Sequence, residues 1–136
     1  MAWRLLEHTA DAGFEAEADT LAEVFLDAAE AFLFLAAGLT PGDFPGSGEK
    51  SELFLSSPDG EELAVSWLNE LLFLAETRSV FFLPVKVTVS LSPPAIAASG
   101  RTVPLNGRVL SVKAATYGGL VLRTSPRPFL RMILDL

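Results

Sequence analysis

The chain has no cysteine and a single histidine, His8. Disulfides and thiolate sites are therefore excluded. A structural zinc site needs about four Cys or His ligands, which one copy cannot supply. Any metal site must be built mainly from oxygen, the donor set of Ca²⁺ and Mg²⁺. No apolar run approaches the ~18 residues of a membrane span. The start, Met1-Ala2-Trp3-Arg4-Leu5-Leu6-Glu7, lacks the long apolar stretch of a signal peptide. Gln is absent and Asn occurs only at 69 and 106, a bias that either high growth temperature or GC-rich coding would produce. There is no GxxxxGK[ST] phosphate loop, GxGxxG, HExxH or GxSxG.

What remains is 136 residues, half of them hydrophobic. That length suits one domain with one core over residues 1–136, and a soluble cytoplasmic protein is expected. The net charge of −7 is divided unevenly. Residues 1–76 hold 16 of the 17 acids and only Arg4 and Lys50 among the bases, whereas residues 77–136 hold eight bases and one acid, Asp135. Acidic helices packed beside basic strands would explain the split. A basic face for an acidic partner or a phosphate would explain it too. The overall acidity argues against strong autonomous RNA binding, which needs a basic footprint.

Residues 3–9 alternate loosely and read as a strand, left by a tight loop through Asp11-Ala12-Gly13. A helix is expected over 20–37. Thr20 and Glu23 fit a capping box, Leu21, Val24, Phe25, Ala28, Phe32 and Leu35 form one stripe, and Gly38 ends it. After a Pro/Gly loop and a short strand over 50–56, Pro58-Asp59-Gly60 turns into a second helix over 60–77. Its stripe is Ala64, Trp67, Leu68, Leu71 and Ala75, widened by Leu72, Phe73 and Leu74. The remainder reads as strands: 85–91, with Pro84 at its start or marking an edge, then 95–103, 109–116, 119–124 and 128–135. The expected class is α+β, a two-layer domain whose mixed or largely antiparallel sheet carries two helices on one face.

Few residues could carry chemistry. A Ser–His–Asp triad would have to use His8, and no serine has an elbow-like context, so a structural hydrogen-bonding histidine is the simpler reading. Asp11 lies where a loop leaves the sheet, as a solvated turn aspartate would. Alternation over 129–136 puts Phe129, Arg131, Ile133 and Asp135 on one face and Leu130, Met132, Leu134 and Leu136 on the other. An acid ending an apolar strand is costly to bury unless paired or metal-bound. With the terminal carboxylate of Leu136 and with Asp11 it would make a hard-cation site. Pairing with Arg131 would satisfy it equally. Lys113 is either a solvated strand lysine or a contact for phosphate or an acidic partner.

Three segments resemble the archease family. They are Glu7-His8-Thr9-Ala10-Asp11-Ala12-Gly13-Phe14 leading into Leu21-Ala22-Glu23-Val24-Phe25, then Trp67-Leu68-Asn69-Glu70-Leu71-Leu72, and finally Val112-Lys113-Ala114-Ala115-Thr116-Tyr117 with Arg131-Met132-Ile133-Leu134-Asp135-Leu136. Together they span nearly the whole chain in the family's order. The resemblance implies an accessory protein, not itself an enzyme, that promotes guanylylation and multiple turnover of an RtcB-type RNA-splicing ligase. It implies a calcium or other divalent site of Asp11, Asp135 and Leu136, a ligase or nucleotide contact at Lys113, and RNA contact only through the ligase. One departure is Gly118, where the family often has His. A general chaperone or adaptor, and a metal-dependent hydrolase using Asp11 and Asp135, are the competing readings.

Overall fold

Both helices form where the apolar periodicity puts them in the computed structural model, which describes residues 3–6, 12–46 and 48–136. Helix α1 spans Leu21–Ala37. The Glu23 backbone N–H donates to Thr20 Oγ1 at 3.1 Å, and the Thr20 hydroxyl donates to the Glu23 carboxylate at 3.0 Å. The first of these bonds satisfies an N–H that a helix start leaves unpaired, and the second holds the two side chains together. At the other end Gly38 adopts φ 70° and donates its N–H to Phe34 O at 2.7 Å. Helix α2 spans Gly60–Arg78, with the Glu62 N–H donating to the Asp59 carboxylate at 2.8 Å. Trp67, Leu68 and Leu71 are buried as expected, whereas Phe73 points away from the core and is 52% exposed. No helix among the described residues is long and apolar enough to cross a membrane.

Asp27 lies half-buried on α1, between Glu23 and Glu30. Burial first, then the Glu30 charge, raises its carboxyl above the ordinary 3.8. The fold thus favours the protonated form. Stability falls as pH rises from 3.8 through the raised value, and at neutral pH the full penalty applies. We expect Asp27→Asn to add about 0.2–0.5 kcal/mol at pH 7, the size of a like-charge pair on a helix. Urea denaturation at pH 7 and pH 3 checks this, because the gain should vanish at pH 3.

The strands divide between two antiparallel sheets where sequence pattern suggested one. The larger contains β1 (Trp3–Leu6), β2 (Ala12–Glu17), β6 (Ala114–Ala115), β7 (Val121–Arg123) and β8 (Phe129–Asp135). β8 is its middle strand, with β2 on one side and β6 and β7 end to end on the other. The smaller contains β3 (Glu49–Ser56), β4 (Val80–Leu91) and β5 (Pro94–Pro104), in the order β3-β5-β4. β4 begins five residues before the alternating stretch. Pro84 lies inside it, on an edge strand, at a bulge where Val85 is the extra residue. Gly100 faces Pro84 there, and a Cβ at Gly100 would overlap the Leu83 carbonyl.

Each sheet turns one face to a shared core. Phe14, Leu130, Met132 and Leu134 come from the larger sheet, and Ile96 and Ala98 from the smaller. Phe25, Phe32, Leu63, Trp67 and Leu68 come from the helices. The Trp67 indole N–H donates to Phe25 O at 2.9 Å, tying α2 to α1 inside this core. Beyond the bulge, Phe81, Leu83 and Val103 join Leu33 and Ala75 in a second cluster.

The charge asymmetry of the sequence is partly resolved by pairing across the chain. Arg127 donates to Asp19 at 2.9 Å, and Glu15, whose ion pair is with Arg4 of the same half, is the cross-strand neighbour of Arg131. These contacts agree with acids from the first half packing beside bases from the second.

Candidate metal centre

The predicted alternation along β8 is what the strand does. Leu130, Met132 and Leu134 are fully buried, Phe129, Arg131 and Ile133 are half-buried on the opposite face, and Asp135 is exposed. Leu136 follows, 42% exposed. Pairing with Arg131 is not how Asp135 is used: it makes no ion pair among the described residues. Arg131 instead lies beside Glu15, with its Nε shielded and without a hydrogen-bond partner.

The backbone around Asp135 is held from the side by residues 113–116. The Lys113 N–H donates to Asp135 O at 2.7 Å. Thr116 donates to Ile133 O from both its N–H, at 3.3 Å, and its hydroxyl, at 2.9 Å. Ala114 is the cross-strand partner of Asp135. The Lys113 side chain is exposed beside this end of the sheet. The longer strand expected over 109–116 contracts to Ala114–Ala115, and Val109 is 87% exposed.

One participant was not assigned a role from sequence. Asn69 Oδ1 accepts the Ala115 N–H at 2.8 Å. This bond fixes β6 to α2 and leaves the other side of β6 to β8. Asparagine is a poor residue inside a helix, since its side chain competes for backbone partners. An Asn between buried Leu68 and Leu71 was therefore the available signal that something outside the helix needed its amide.

Asp11 and His8 lie outside the described residues. Ala12, one residue after Asp11 in sequence, is the cross-strand partner of Leu134, one residue before Asp135. Among the described residues no three acidic or histidine side chains cluster as a complete metal site.

Among the described residues the chain has an α+β fold, with two α-helices, two antiparallel sheets and an acid exposed at the end of a central strand. The sequence matches the archease protein family (MTH1598/TM1083) over residues 3–136. It is 35% identical to the archease of Methanosarcina acetivorans over 127 residues, covering 88% of this chain and 85% of that one. The archease of Archaeoglobus fulgidus is 34% identical over 105 residues, 74% of this chain and 71% of the relative. The solution structure of Methanobacterium thermoautotrophicum protein 1598 superposes with a TM-score of 0.74 at 27% identity, covering 99% of each chain. The chain belongs to the archease family.

Proposed function

We propose that this chain acts as one unit, an accessory protein that activates an RtcB-type RNA ligase through a divalent-cation site of Asp11, Asp135 and Leu136. The observation that carries the reading is Asp135 itself: exposed, free of any ion pair among the described residues, and held by its own backbone at the end of the middle strand. A carboxylate in that setting is available to an external cation. The donors are all oxygen, which suits calcium or magnesium better than zinc, whose structural sites draw on Cys and His. Six or more oxygens are needed for calcium, so Asp135 and Leu136 must be completed by Asp11 and by groups from water or the partner.

A bound cation would neutralise these carboxylates and offer a positive charge to phosphate oxygens. The chain's own contribution is positional. Asn69 and the Lys113 N–H set where Asp135 is presented, and the Lys113 ammonium adds a second positive group beside it. Orienting charged groups in this way accelerates a partner's reaction without any catalytic residue here. We place this activity in the cytoplasm, with RNA reached only through the ligase.

The test is multiple-turnover ligation by the cognate ligase with GTP, with and without this protein, before and after chelation of divalent cations from the accessory protein alone. Stimulation that chelation removes and calcium restores supports the reading. A confirmed cognate ligase that gains nothing counts against it and brings Gly118, where the family often has His, under suspicion. Suppression of aggregation in unrelated proteins, independent of metal, would instead favour a chaperone role.

A further inference from the structure

β3 is an edge strand, with β5 on one side and no described strand on the other. Its ladder with β5 runs without a shift from Glu49↔Thr102 to Ser56↔Ala95. Ser57 extends it by donating its N–H to Pro94 O at 3.2 Å. Odd-numbered residues of β3 therefore direct their backbone groups to β5. Period two then turns those of Lys50, Glu52, Phe54 and Ser56 outward. The side chains of the same four residues are exposed, Phe54 to 69%. A groove of about 540 Å³ follows this edge between β3 and α2, with Phe73 and Leu74 on its helix wall.

An open edge of this kind is a template for another strand. Charge decides which strand fits. In two-fold antiparallel self-pairing, every register centred on a residue from 50 to 54 brings outward-facing residues together. Centring on Lys50 or on Glu52 sets that charge against its own copy, and centring on Phe54 sets ring against ring with Glu52 opposite Ser56 and no opposite charges paired. Centring on Leu53 sets Glu52 against Phe54. Centring on Ser51 sets Lys50 against Glu52 of the second copy, and Glu52 against Lys50, while Phe54 falls beside Gly48, where no side chain competes.

We propose that β3 is a self-association edge. Two copies join β3 to β3 about Ser51, forming a continuous six-stranded sheet locked by two symmetric Lys50–Glu52 pairs. Directly opposed charges of opposite sign stabilise a strand pair and like charges destabilise it. Exposed ion pairs are individually weak, so the pattern sets the register and gives a concentration-dependent dimer, with Phe54 and Phe73 adding apolar contact. The face lies on the smaller sheet, so this inference stands independently of the metal reading.

Sedimentation velocity across a concentration series tests it. Wild type should show a monomer–dimer equilibrium. Lys50→Glu alone, or Glu52→Lys alone, should raise the dissociation constant about tenfold or more, because two attractive pairs become two repulsive ones. An equimolar mixture of the two variants should recover dimer, and so should the double swap K50E/E52K. Ser51→Cys gives a register check in a chain with no other cysteine. Position 51 meets its own copy in a non-hydrogen-bonded pair, with Cα atoms about 4.5 Å apart, and mild oxidation should cross-link it, whereas Leu53→Cys should not. Wild type that stays monomeric throughout overturns the proposal. So does a dimer indifferent to both charge reversals, or one that the mixture fails to restore.

Discussion

Asp135→Ala should abolish stimulation of the ligase while leaving the protein as stable as wild type. The two halves of that expectation have separate physical origins. Changes to residues that merely support a metal ligand cost about 10–100-fold in metal affinity. Deleting a ligand carboxylate should exceed that range, and calcium binding by isothermal calorimetry should fall below detection at concentrations that saturate wild type. Stability should hold because the Asp135 side chain is exposed and makes no ion pair among the described residues. The structural role of the residue belongs to its carbonyl, which accepts the Lys113 N–H and survives the substitution. Surface changes of this sort stay within about 0.5 kcal/mol. An acid exposed on α2, Glu76→Ala, should bind calcium and stimulate the ligase normally. If Asp135→Ala and Asp11→Ala both stimulate fully, the proposed site is wrong whatever the partner proves to be.

Trp67→Ala should have the opposite profile, with a large loss of stability. Trp67 is 0% exposed and is the largest of the fully buried side chains. Its removal leaves a cavity among α1, α2 and both sheets, and a Phe or Trp truncated to Ala in a core costs about 3–5 kcal/mol. That is a large share of the roughly 5–15 kcal/mol that holds a typical domain. Trp67→Phe separates the contributions. It keeps much of the volume but loses the indole bond to Phe25 O, so its cost should fall near the ~1 kcal/mol of one hydrogen bond plus a smaller cavity. Denaturant midpoints for the two variants check this. Equal losses would mean that the hydrogen bond, and not the packing, dominates.

The helices were legible because their signals are local. Thr20 with Glu23, and Gly38 at its positive φ, mark ends that depend on a few neighbouring residues. β2 was not legible. Its sequence, Ala12-Gly13-Phe14-Glu15-Ala16-Glu17, is poor in strand-forming residues. It is a strand because β1 and β8 pair with it. The same logic works in reverse for residues 109–113, where apolar alternation is present but no partner strand is. Val85 opens the strand expected over 85–91, and as the extra residue of the bulge it is 72% exposed. Alternation says which face a side chain takes, and it cannot say which sheet receives the strand, so two sheets read as one.

The candidate site divides along the same line. Asp135 stood out because it interrupts an apolar pattern, and its exposed place on β8 follows from that pattern. Lys113 was read as a strand lysine and nominated again by the motif around it, whereas it precedes β6 and is not part of a long strand. The contribution of Asn69 needed the tertiary structure, since its partner Ala115 is 46 positions away in sequence.

The middle strand of the larger sheet is also the last of the described strands in chain order, and its partner β2 is the second. Residues 12–17 must wait for residues 129–134 before their ladder can close. Pairings across so much chain form late and slowly, because the entropy of closing the loop is lost before contacts offset it. During synthesis, at about 5–20 residues per second, the helices and the smaller sheet have all their parts well before β8 emerges. Closing the larger sheet is then a late event, the insertion of one strand between the edges of β2 and of β6 and β7. A chain stalled before residue 129 would hold folded pieces yet lack the strand that carries Asp135.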